Sequence, residues 1–178
     1  MKKFLSILLV LMLGIGILSG CKGEERQSDA AHTETTEKSK NEIPTIKGSN
    51  SEEVLLAMKK MGFPEAKGHV TDTGIIYQET NGIYSYDMDI VHKSNEISFI
   101  NFIVTKDKKG KEILPVFATL VHSEDISQEK AEKWVKNNIG KKTKKTFGNT
   151  TFSIYQTNTS YILEIKNKDY EDVVKYNL

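Results

Sequence analysis

Residues 83–91, IYSYDMDIV, alternate without a break. Ile83, Ser85, Asp87, Asp89 and Val91 fall on one side, Tyr84, Tyr86, Met88 and Ile90 on the other. Strand side chains point to opposite faces with a period of two, so this pattern calls for a strand with one polar and one largely apolar face. Asn81-Gly82 stands just before it, a strong hairpin signal, and VTDTGIIYQE (70–79) precedes that turn. After HKSN (92–95), the run EISFINFIV (96–104) is apolar on both faces, as a central strand is. The three runs together predict an antiparallel meander.

Two segments carry helical periodicity instead. In SNSEEVLLAMKKMGF (49–63), Val54, Leu55, Met58 and Met61 form a stripe, Asn50 or Ser49 can cap, and Gly62 supplies the stop. In SQEKAEKWVKNNIGKK (127–142) the stripe is Ala131, Trp134, Val135 and Ile139, with Asp125 or Ser127 as the cap and Gly140 as the stop. KDKKGKE (106–112) reads as a charged loop. Residues 112–122 admit a strand or a helix; Ile113, Val116, Phe117 and Leu120 favour the helix, with Pro115 in its first turn.

The C-terminal part repeats the plan, with KTKKTF, Gly148-Asn149, TTFSIYQT, the turn NTS, and YILEIKN; KDYEDVVKY then reads as a short helix. Helix followed by meander thus occurs twice. The expected class is α+β: antiparallel meander sheets packed by two or three helices, in tandem order.

The N-terminal region has a different character. Lys2 and Lys3 precede a run without ionisable groups from Phe4 to Leu18, which has the form of a secretory signal. It ends in Leu18-Ser19-Gly20-Cys21, which resembles the lipobox of bacterial prolipoproteins. The resemblance implies cleavage between Gly20 and Cys21, a diacylglyceryl group on Cys21, and residence on the extracytoplasmic face of a bacterial cell membrane. Each buried methylene contributes about 0.8 kcal/mol, so two acyl chains hold a protein where one holds it only marginally. Residues 1–20 are then the signal peptide. Residues 21–50, rich in Glu, Lys, Ser and Thr with Ile43 and Ile46 as the only large aliphatics, read as a disordered tether. Residues 51–178 form a single domain.

Cys21 is the only cysteine, so its lipidation excludes disulfides, thiolate metal sites and cysteine nucleophiles. Without Lys2 and Lys3 the chain has 23 basic and 24 acidic residues, which offers no basic stripe for nucleic acid. No Gly-x-Ser-x-Gly, His-Glu-x-x-His, P-loop or EF-hand pattern is present. The candidate metal ligands are Asp87 and Asp89, on one strand face, with His92 just beyond; the same aspartates also suit a solvated face. Tyr77, Tyr84, Tyr86, Tyr155 and Tyr161 lie on predicted strands and either bind a partner or close the core. Lys141, Lys142, Lys144 and Lys145, with Lys133 and Lys136, make the densest positive region, which suits anionic headgroups or teichoic acid, or a solvated loop. These residues point to a non-enzymatic binding domain without a cofactor and with a protein partner. The alternative is a small-ligand or ion sensor with a pocket between sheet and helices.

Overall fold

The computed structural model describes residues 43–91 and 94–171. His92, the Cys21 lipobox and most of the C-terminal KDYEDVVKY segment lie outside the described residues. Those described form an α+β fold: α1 (Ser51–Lys60), β1 (His69–Val70), β2 (Gly74–Thr80), β3 (Tyr84–Val91), β4 (Ile97–Thr105), α2 (Lys108–Leu120), α3 (Gln128–Asn138), β5 (Thr143–Phe147), β6 (Thr150–Gln156) and β7 (Ser160–Asn167). All strands pair antiparallel in one open sheet of order β1-β2-β3-β4-β7-β6-β5. Helix and meander do occur twice, and the β4–β7 pairing fuses the two meanders into a single sheet. None of the described helices is long and apolar enough to cross a membrane.

The alternation of residues 83–91 sets the sheet's two faces. Tyr86, Met88 and Ile90 are buried beneath the helices, together with Ile100, Phe102, Phe152, Ile154, Leu163 and Ile165 from neighbouring strands. Phe117 of α2 stacks on Phe102 with centroids 4.8 Å apart, and Trp134 of α3 meets Phe147 and Phe152 edge-on. Phe63, just after α1, packs its ring against the edge of Tyr86. Between Asp89 and Ile90 the pairing with β4 shifts, so that Ile90 stands opposite Ile97 and both stay on the buried side.

Four local expectations need correction. VTDTGIIYQE is not one strand: Thr71 Oγ1 accepts from the Gly74 amide at 3.1 Å, and the turn separates β1 from β2. In the next hairpin Gly82 (φ 85°) and Ile83 are the central residues, while Asn81 flanks them and its Oδ1 accepts from the Ile83 and Tyr84 amides. KDKKGKE is mostly helix, because Asp107 caps α2 by accepting from the Gly110 amide at 2.7 Å. Pro115 consequently sits inside α2 rather than in its first turn. It leaves the Lys111 carbonyl without an i+4 donor, a cost set against burial of the proline and its neighbours Leu114 and Phe117.

The packed region also begins earlier than residue 51. Ile46 is fully buried, its amide donates to the Ile97 carbonyl at 2.7 Å, and Asn167 Nδ2 donates to the Thr45 carbonyl. One of the two large aliphatics in that polar stretch is thus part of the core. Of the two candidate caps for α3, Ser127 serves. Asp125 instead accepts from the Asn149 amide and the Thr150 hydroxyl, holding the β5–β6 turn. That turn needs Gly148, whose φ is +55° and where a Cβ would stand 2.1 Å from Asp125 Oδ1.

Candidate functional site

Sheet pairing places a second set of side chains on the face away from the helices. One row across it runs Asp89, Phe99, Lys166, Thr151, Thr146; the next runs Asp87, Asn101, Glu164, Ser153, Lys144. This face is polar but not simply bathed in water. Lys166 is only 8 % exposed, and its ammonium donates to Glu164 at 2.8 Å and to Glu171 at 2.5 Å. Glu164 lies two residues back on the same strand and therefore on the same face. Glu171 arrives from just past the turn (168–169) that follows β7. Burial alone would lower the Lys166 pKa, but hydrogen bonds to Glu164 and then Glu171 outweigh it and the pKa is raised.

The chain leaving that turn also carries Tyr170 over the sheet. Its ring stacks on Phe99, with centroids 5.4 Å apart, and its hydroxyl donates to Asp89 Oδ2 at 2.5 Å. Burial raises the Asp89 pKa, the Tyr170 hydrogen bond works against that, and neighbouring Asp87 adds to it. The Tyr170 hydroxyl is held above its ordinary value by burial and by its bond to Asp89. Among the described residues, Asn101 Oδ1 is buried without a hydrogen-bond partner.

Beside Lys166 the face opens into a concavity of about 500 Å³. Lys142, Lys144 and Lys168 stand around it, Tyr155, Thr151 and Ser153 contribute to its floor, and Glu171 lies at its side. Burial lifts the Tyr155 pKa and Glu164 lifts it further, against the opposing charge of Lys166. The arrangement can hold a polar, charged group by ammonium and hydroxyl donors, next to one aromatic face.

The five tyrosines do not share a surface. Tyr86 is 1 % exposed under the helices, where burial first and then Glu79 and Tyr77 push its pKa up to about 12. Tyr161 is buried on that same side, with Lys111 over its ring. Tyr84 packs against Phe117, and Tyr77 is half-buried against the core. Tyr155 alone lies on the open face. Asp87 and Asp89 do share that face, but Tyr170 occupies the Asp89 carboxylate, and among the described residues no three carboxylate, histidine or cysteine groups gather for a metal. The lysine run is split: Lys142 and Lys144 face the concavity, while Lys145 lies 4.9 Å over the Phe147 ring on the helix side. Sequence reasoning missed Glu164, Lys166, Tyr170 and Glu171; the i, i+2 placement of Glu164 and Lys166 was the available signal.

No protein-family model, curated protein or solved structure matches the chain.

Proposed function

We propose that this chain is a lipoprotein of the extracytoplasmic face of a bacterial cell membrane, anchored by a diacylglyceryl group on Cys21. Its domain is a non-catalytic binding module for a protein partner, and the sheet face away from the helices is the contact surface. The observation that carries the binding reading is the asymmetry of the sheet. Among the described residues, the helices cover one face, while the other presents a charged concavity of about 500 Å³. That volume lies in the range of ligand sites, which also supports the small-ligand alternative. The concavity, however, lies across the sheet from the helices rather than between sheet and helices.

Two measurements test the proposal. Metabolic labelling with radioactive palmitate should mark the wild-type chain and not Cys21→Ser; equal labelling of the two removes the anchor. A photo-cross-linking amino acid at position 155 in intact membranes should give a protein adduct that the same group at exposed Ile83, outside the concavity, does not. An identical adduct pattern from both positions counts against the open face as the contact surface.

A further inference from the structure

Resting on that reading, we propose that the concavity takes an acidic segment of the partner protein, and that Glu171 holds the place of one of its carboxylates until the partner arrives. Lys166 is an almost fully enclosed ammonium with two carboxylate partners of unlike standing. Glu164 is fixed by the sheet two residues away, with a side chain 19 % exposed. Glu171 reaches in from outside the sheet, just past the Lys168–Asp169 turn, and its side chain is 61 % exposed. A carboxylate reaching Lys166 from solvent reproduces the Glu171 contact without disturbing the Glu164 pair.

The surroundings favour such an exchange. Lys142, Lys144 and Lys168 all line the concavity, and none of them has an ion pair among the described residues. With Lys166 they set four cations against Glu164 and Glu171. Once Glu171 is displaced, the balance becomes four against one. A segment with several carboxylates can therefore engage Lys166 at the floor and the rim lysines together. Side-chain hydroxyls of Thr151 and Ser153 and the face of Tyr155 lie between these charges. Rim charges of this kind act chiefly on the rate of encounter, and the enclosed Lys166 on retention.

The test uses the full-length chain in non-ionic detergent at low salt, titrated calorimetrically with a capped hexaglutamate peptide. Saturable binding is expected; Lys144→Glu should weaken it about tenfold, and Glu171→Gln should tighten it about threefold by freeing Lys166. Lys133→Glu, on α3 outside the concavity, should leave it unchanged. Near-UV circular dichroism establishes that each variant is folded. No saturable binding, equal weakening by Lys133→Glu, or unaltered affinity in Glu171→Gln overturns the inference. Inorganic phosphate or dextran sulfate competing as strongly as the peptide also overturns it, since the site is then a general anion patch. Cross-linking from position 155 separates this inference from the broader proposal. A protein adduct that excess hexaglutamate suppresses supports both. An adduct that persists overturns only the acidic segment, and the absence of any adduct overturns both.

Discussion

The two faces of the sheet are made by the same strands, alternate residues apart, and they are filled on different principles. Beneath the helices, Met88, Ile100, Phe102, Leu163 and Ile165 exclude water by area and fit. On the far side, Asp89, Lys166 and Glu164 lose much of their water as well, but they are compensated one by one through Tyr170, Glu171 and each other. The first face depends on filled volume; the second, Asn101 apart, depends on partnered charges.

Substitutions can break or sharpen this contrast. The largest effect is expected from Phe102→Ala, which opens a cavity under Phe117 and should cost about 3–5 kcal/mol in urea unfolding. Lys166→Met keeps bulk on the open face but strips Glu164 and Glu171 of their cation, and should cost about 2 kcal/mol. A loss as large as that of Phe102→Ala would mean that the open face is as cooperative as the core. Asn101→Leu removes a buried oxygen that has no donor among the described residues and should be neutral or stabilising by about 1 kcal/mol.

Asp89→Asn has the smallest expected effect and a definite sign. The folded-state pKa of Asp89 is raised, so the folded protein holds its proton above the ordinary carboxylate value of 3.8, where the unfolded chain has released it. Stability contributed by the protonated group is present at low pH and is lost as pH rises through the folded pKa. Asn cannot ionise and can still accept from Tyr170. The stability difference between Asp89→Asn and wild type should therefore move in favour of the variant as pH rises from 3.8 through that window. Chemical denaturation at pH 3 and pH 7 checks it, and a shift towards wild type would reverse the assigned cause.

What the sequence discloses follows the range of the interaction. The faces of β3 are legible from local alternation, and the stripes and glycine stops of α1 and α3 are equally local. The start of α2 is not, because Lys108 and Lys109 in its first turn obscure an N-terminus that the single cap Asp107 establishes. Glu164 and Lys166 can be assigned to one face from spacing alone. That Glu171 turns back to them, and that Tyr170 meets Asp89 from 81 residues away, are tertiary events without a local pattern. Asp87 and Asp89 look like any solvated strand face for the same reason.

Ile46 has a mechanical consequence. The hydrogen bond from its N–H to the Ile97 carbonyl and the one from Asn167 Nδ2 to the Thr45 carbonyl join the incoming chain to β4 and β7, in the interior of the seven-strand order rather than at either rim. A pull applied from the N-terminal side would be delivered first to the middle of the sheet, where neighbouring strands on both flanks share the strain. Peeling from an outer strand, the easier route to rupture, would not be how such tension enters the fold.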